Sequence, residues 1–133
     1  MMHLFTIRNP ITICLLFFSM QACSDGYTTS PVSDDVIHSL NDSIAVAQQN
    51  GAVWTKMPDA ITGHFYPRAS GEAGNMRYQI IKQDLSPEKC ITIVIDEGLF
   101  DDEVLGERRT LNFQLMEGRW KITGLQKEIK RRD

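Results

Sequence analysis

The stretch that decides the fold is residues 109–129, which read RTLNFQLMEGRWKITGLQKEI. Before the turn, apolar and polar residues alternate, as is typical of a strand with one buried face. Glu117-Gly118 is a two-residue turn signal, the commonest connection in tight hairpins. The residues that this turn brings face to face are Leu115 with Trp120 and Phe113 with Ile122. Because the apolar faces then coincide, the sequence predicts an antiparallel hairpin in a defined register.

The last strand, 119–129, changes the parity of its apolar positions. After Ile122 the next apolar side chains are Leu125 and Ile129, an odd number of residues further on. One extra residue in a strand restores the buried face after such a change. Gly124 lies at this point, so we predict a β-bulge there.

Two further strands are expected ahead of this hairpin. Residues 76–83 form the first, and 90–96, the most apolar stretch, form a central strand. Residues 84–88 contain Ser86-Pro87 and are expected to be the turn between them. Together with the hairpin, these segments predict a four-stranded antiparallel meander.

Two helices are expected before the strands. Ser33 is suited to cap the first, with acidic residues following it, and Asn50-Gly51 is suited to end it. The apolar stripe of this long helix consists of Val36, Ile37, Leu40, Ile44 and Ala47. Pro58 fits the first position of a short second helix that ends near Phe65. One long N-terminal helix, a short helix and a meander define an α+β domain.

This order of elements resembles the cystatin-like and NTF2-like group. The stretch 117–122 is similar to the final hairpin of small bacterial lipoproteins with that shape. The resemblance covers residues 34–129 in outline, and it implies a curved sheet that wraps a helix. It assigns no active residue.

The N-terminal residues have the composition of a secretory leader. Arg8 is followed by an apolar run over 11–18, which is too short to cross a bilayer. A general signal peptidase would need a small residue where Met20 stands, which disfavours plain secretion. The four residues Met20-Gln21-Ala22-Cys23 instead resemble the lipobox of bacterial lipoproteins.

This resemblance implies cleavage between Ala22 and Cys23. It also implies a diacylglycerol on the Cys23 sulfur and a further acyl chain, such as palmitate, on its nitrogen. Ser24 favours retention at the outer membrane, facing the periplasm, over the inner membrane. We therefore divide the chain into a signal peptide at 1–22, a lipidated tether at 23–33 and an α+β domain at 34–133.

Composition restricts the function further. The chain has 133 residues, which suits one domain, and its formal net charge of −3 argues against nucleic-acid binding. The basic run at 127–132 is expected to be a solvated end, with anionic lipid head groups or an acidic neighbouring loop as alternative contacts. Cys14 leaves with the leader and Cys23 carries the anchor, so Cys90 is expected to be a buried structural thiol.

The sequence contains no pattern typical of a metal, cofactor or catalytic site. His38 and His64 have no second ligand at metal-binding spacing, and we expect both at the surface. The acidic stretch 96–107 is expected to be a solvated hairpin loop, with a weak cation or basic-partner site as the alternative. No nucleophile elbow and no glycine-rich phosphate loop is present in the sequence.

Three aromatic residues, Trp54, His64 and Tyr66, are candidates for the rim of a pocket between sheet and helix. The favoured hypothesis is a membrane-anchored, non-catalytic binding module with an envelope protein as partner. The first alternative is a carrier of a small ligand in that pocket. The second is a small NTF2-like enzyme that pairs His64 with Asp59 or Asp84.

Overall fold

The computed structural model describes residues 26–68, 77–98 and 104–131. The proposed cleavage site at Ala22 and Cys23, and the centre of the acidic stretch, lie outside the described residues. The helices are α1 (Asp34–Gln49), a 3-10 helix (Val53–Lys56) and α2 (Pro58–Phe65). The strands are β1 (Tyr27–Ser30), β2 (Arg77–Ser86), β3 (Lys89–Glu97), β4 (Val104–Met116) and β5 (Arg119–Arg131).

The α+β class is confirmed, but the sheet has five strands rather than four. All neighbours are antiparallel and the order is β1-β5-β4-β3-β2. The additional strand, β1, lies inside the segment 23–33 that we predicted to be a tether. Four residues, from Tyr27 to Ser30, pair there with β5, so that prediction was wrong for this part. The long helix consequently follows a strand instead of opening the domain.

The packing of Tyr27 explains why β1 is held in the sheet. Its side chain is buried, and its hydroxyl donates to Glu97 Oε1 at 3.1 Å. The Arg108 guanidinium lies 4.3 Å from the ring centroid and Lys130 Nζ lies 5.9 Å from it. Gly106 leaves room for this arrangement, since a Cβ there would be 3.0 Å from the Tyr27 hydroxyl oxygen. These partners are far away in sequence, so no local pattern indicates the strand.

The predicted hairpin register is confirmed. Leu115 pairs with Trp120 and Phe113 pairs with Ile122. The register shifts at the next position, where Asn112 pairs with Gly124. Thr123 is the extra residue of β5 and has no paired residue on β4. This is the predicted bulge. Glycine fits there because a Cβ at position 124 would be 2.7 Å from the Asn112 side-chain nitrogen.

The two predicted helices are also confirmed. Ser33 caps α1, and its hydroxyl oxygen accepts from the Asp35 backbone N–H at 3.2 Å. Pro58 occupies the start of α2. Strand β2 runs to Ser86, so the predicted turn at 84–88 narrows to Pro87 and Glu88. The 3-10 helix between α1 and α2 was not predicted.

Both helices cover one face of the sheet, and the core lies between the two layers. Its fully buried hydrophobic members are Ile44, Ile61, Cys90, Val94, Leu111, Phe113 and Ile122. The expectation that Cys90 is a packed thiol agrees with its exposed fraction of 1%. Among the described residues, no helix has the length and apolar character needed to cross a membrane.

Candidate functional site

The three aromatic residues predicted to share one rim lie in two separate depressions. Trp54, on the 3-10 helix, contacts His64 of α2. Tyr66 follows the end of α2 and lines a different pocket, next to Arg109. The side chain of Tyr66 therefore takes no part in the surface formed by the other two.

The first depression, which we call the aromatic groove, lies between α1 and the Trp54–His64 pair. The two rings stack with centroids 3.7 Å apart and planes inclined by 6°. Phe65 makes T-shaped contacts with both stacked rings, with its centroid 5.4 Å from that of Trp54 and 5.3 Å from that of His64. The groove has a volume of about 470 Å³. Its other lining residues are Asp42, Ser43, Val46 and Ala47 of α1 and Asn50, which caps the end of this helix.

Apolar side chains are exposed at and beside this groove. Val46 is 58% exposed on α1, and Val53 is 76% exposed next to Trp54 in the chain. Met57, which joins the 3-10 helix to α2, is 50% exposed. Of these three residues, only Val46 lines the groove. An exposed apolar residue beside a tryptophan is typical of a protein-interaction surface.

The second depression, which we call the cationic pocket, lies between the sheet and the start of α1. Arg109 of β4 and Lys127 of β5 are direct partners across the two strands, and both line the pocket. Tyr66 covers one side, with the Arg109 guanidinium 4.6 Å from its ring centroid. The remaining walls are Pro31, Val32, Ser33, Val36 and Leu125, and the volume is about 270 Å³.

The charges in the cationic pocket are only partly balanced. Arg109 Nη2 lies 2.9 Å from the Glu107 carboxylate, whereas Lys127 makes no ion pair with the described residues. Burial raises the pKa of the Tyr66 phenol, and the nearby Arg109 opposes that effect, so the phenol is neutral at physiological pH. The hydroxyl of Tyr66 has no hydrogen-bond partner within the described ranges.

The pairs proposed for the enzyme alternative are not joined in this structure. His64 is exposed and makes no ion pair with Asp59 or Asp84 among the described residues. Asp84 Oδ1 instead lies 3.8 Å from Lys82 Nζ. One Asp59 oxygen is buried without a hydrogen-bond partner in the described part of the chain. Burial is the main cause that raises the pKa of the Cys90 thiol, which disfavours its reactive thiolate form.

The described residues contain no group of three or more side chains able to hold a metal ion. His38 is exposed on α1, as predicted. Within the acidic stretch 96–107, Glu97 and Glu107 lie on strands β3 and β4 and contact Tyr27 and Arg109. The acidic residues between 101 and 103 lie outside the described residues.

Sequence analysis missed Arg109 and Lys127 as site residues, although their proximity follows from the predicted hairpin. Counting outward from the turn and across the bulge places Arg109 opposite Lys127. The stacking of Trp54 on His64 had no such signal, because it depends on an unpredicted 3-10 helix.

Comparison with models of known protein families, with curated proteins and with solved structures gives no match for this chain. The features that bear on function are therefore the lipobox-like residues 20–23, the aromatic groove and the cationic pocket.

Proposed function

We propose that this chain is a lipid-anchored, non-catalytic binding module of the bacterial cell envelope. Cleavage after Ala22 makes Cys23 the first residue of the mature chain, and acyl chains on Cys23 form the anchor. The anchored protein is located at the outer membrane and faces the periplasm. Its partner is an envelope protein that docks on the aromatic groove. The lipobox-like residues 20–23 support the anchor, and the groove supports the docking function.

The observation that carries the docking function is the exposed apolar surface around Trp54. A stacked tryptophan has little conformational freedom left to lose on binding, so it is a favourable anchor for a partner. Val46 adds exposed apolar area to the groove, and Asp42 and Asn50 supply polar atoms at its border. An apolar centre with a polar border is the usual composition of a protein interface.

The anchor is tested by mass spectrometry and fractionation of the full chain expressed in a bacterium with an outer membrane. We expect the mature chain to begin at Cys23 and to carry acyl mass, and Cys23→Ala to remain uncleaved and unacylated. An unacylated wild-type chain, or a mature start elsewhere, would refute the proposed anchor.

The docking surface is tested by placing a photo-crosslinking amino acid at Val46 in living cells. Leu85 of β2 is the matched control, because it is also apolar and has a similar exposed fraction, 53% against 58%. We expect a discrete crosslink to an envelope protein from position 46 that disappears with Trp54→Ala. Equal crosslinking from positions 46 and 85 would show that the groove has no special role.

The carrier alternative is supported by a separate observation, the cationic pocket between sheet and helix. Its volume of about 270 Å³ is slightly below the roughly 300 Å³ that the carrier hypothesis requires, so the pocket suits only a small ligand. This pocket and the aromatic groove have no lining residue in common. A protein partner and a small ligand are therefore compatible on one domain.

A further inference from the structure

We infer that the cationic pocket binds the carboxylate of a small amphiphilic monoanion, and that the apolar part of this ligand packs on Val32, Val36 and Leu125. This inference rests on the carrier alternative proposed above and names the class of ligand for the same pocket, and it is independent of docking on the aromatic groove. It rests on the charges, the walls and the strand register of the pocket.

The net charge of the pocket favours a ligand with a single negative charge. Arg109 is paired with Glu107, and the net formal charge of these two groups is zero. Lys127, directly across the strands from Arg109, has no carboxylate partner among the described residues and adds one positive charge. A pocket with one uncompensated cation suits a carboxylate better than a dianionic phosphate.

The strand register places two cations opposite each other, and the Glu107 carboxylate that contacts Arg109 offsets their repulsion only in part. Like charges directly opposite each other on neighbouring strands are destabilising. Here Arg109 and Lys127 are opposite on the half-buried, helix-bearing face, where water screens the repulsion less than at an open surface. An anion between them removes the repulsion.

Arg109 is held in place for such a contact. The Glu107 carboxylate binds Nη2, and the Tyr66 ring supports the plane of the guanidinium. A guanidinium has five N–H donors, so several stay available for a ligand oxygen. Because the side chain is already ordered, binding loses little rotamer entropy.

The walls select an apolar substituent next to the anion. Pro31, Val32, Val36 and Leu125 present carbon surface beside the two cations. The small volume admits a ligand with a few carbon atoms, or the end of a longer chain. The ligand is thus an amphiphile and not a simple inorganic anion.

Calorimetry on the full chain in phosphatidylcholine nanodiscs tests this inference, with hexanoate as probe and empty nanodiscs as the blank. Hexanamide has the same chain without the charge, and acetate has the charge without the chain. We expect measurable binding of hexanoate and at least tenfold weaker binding of both analogues. Absence of hexanoate binding, or equal binding of hexanamide, overturns the inference.

Variants identify the site. Lys127→Met keeps an unbranched apolar side chain and removes the charge, and it is expected to weaken hexanoate binding about tenfold or more. Lys121→Met makes the same charge change at an exposed position of β5 and is expected to have no effect. Lys127→Arg should retain binding and controls for loss of fold. Equal weakening by Lys127→Met and Lys121→Met would mean that only net charge matters, and the inferred site would be wrong.

A single negative charge beside an apolar chain is available from a free carboxylate or from the phosphodiester of an anionic lipid. Repeating the hexanoate titration in nanodiscs with phosphatidylglycerol distinguishes these sources. Unchanged affinity supports a free carboxylate as the ligand. Weaker hexanoate binding by both the wild type and Lys121→Met, which keeps the pocket, would assign the pocket to the lipid head group instead of a free carboxylate. Failure of the groove crosslink would leave these results unaffected.

Discussion

Glu117 has a positive φ, which residues other than glycine adopt infrequently. Its φ is 53°, and it is the only residue other than glycine with a positive φ in the part of the chain that the structure describes. The next residue, Gly118, has a φ of 76°. Two successive positive φ values define the hairpin turn whose twist matches that of the adjoining strands. The turn thus imposes the register of β4 and β5 at a local energetic cost.

The first prediction concerns this cost. The left-handed conformation of a non-glycine residue costs about 1–2 kcal/mol of conformational free energy. The cost is smaller for asparagine than for glutamate, because the short asparagine side chain forms local hydrogen bonds. We expect Glu117→Asn to raise the free energy of unfolding by roughly 0.5–1 kcal/mol, measured by urea denaturation. Gly118→Ala is the control and should lower it, although a Cβ there meets no atom within 4 Å. A destabilised Glu117→Asn would show that the Glu117 side chain makes a favourable contact.

At the scale of elements, hydrogen bonds between side chains join the helices to the sheet. The hydroxyls of Thr62 on α2 and Thr92 on β3 are 2.6 Å apart, and both residues are fully buried. Thr62 also donates to the Pro58 carbonyl at 2.8 Å. Because the Thr62 hydroxyl proton is used in the bond to Pro58, the Thr92 hydroxyl is the donor in the bond between the two threonines. This pair fixes the position of α2, and therefore of His64 and Tyr66, relative to the sheet.

The second prediction is a double-mutant cycle on this pair. Thr62→Val leaves the Thr92 hydroxyl buried without an acceptor, which costs about 1–3 kcal/mol. When Thr92→Val is added, no unsatisfied hydroxyl is left, so the double variant should be more stable than Thr62→Val alone. Thermal unfolding of the four proteins measures the coupling. Additive losses would show that the two hydroxyls do not depend on each other.

A second link between elements is made by Asn41 of α1. Its amide nitrogen donates to the Ile122 carbonyl, and its oxygen accepts from the Ile122 N–H, both at 2.9 Å. Strand β1 pairs with β5 only from Lys127 to Lys130, so it does not reach this part of β5. Asn41 therefore forms the hydrogen bonds to the Ile122 N–H and carbonyl that a longer β1 strand would otherwise form.

The third prediction follows from this double contact. Asn41→Leu leaves two partly buried backbone groups without partners and is expected to cost about 1–3 kcal/mol of unfolding free energy. Hydrogen exchange of the Ile122 amide should accelerate in this variant, since its acceptor is lost. Gln49→Leu, an exposed amide on the same helix, is the control and should leave both quantities nearly unchanged. Unaltered exchange at Ile122 would mean that Asn41 does not protect it.

At the scale of the whole molecule, local signals predicted most of the fold. The hairpin, the bulge at Gly124 and the two helices follow from apolar spacing, turn residues and caps. Strand β1 does not, because the residues that bury Tyr27 come from three other strands. Its composition of small polar residues resembles that of a linker, and only the tertiary contacts distinguish the two.

The candidate site was predictable to a smaller extent. Trp54, His64 and Tyr66 were identified as aromatic residues near a pocket, but the end of α2 separates them. His64 lies within the helix and Tyr66 caps it, so their side chains leave in different directions. The cationic pair Arg109 and Lys127 follows from the strand register, which the hairpin already defined. Helix packing, which no local pattern encodes, determined which of these groups meet.

With the proposed acyl anchor on Cys23, the early start of β1 would limit the distance between the domain and the membrane. Three residues separate Cys23 from Tyr27 in the chain. Consecutive Cα atoms are about 3.8 Å apart, so the Tyr27 Cα lies within about 15 Å of the Cys23 Cα. If the chain were free up to Asp34, the first ordered Cα could lie about 40 Å from that of Cys23. Such a domain searches a thin layer along the bilayer and not a volume of the periplasm. Its encounters then depend on lateral diffusion, and a partner must itself come to the membrane surface.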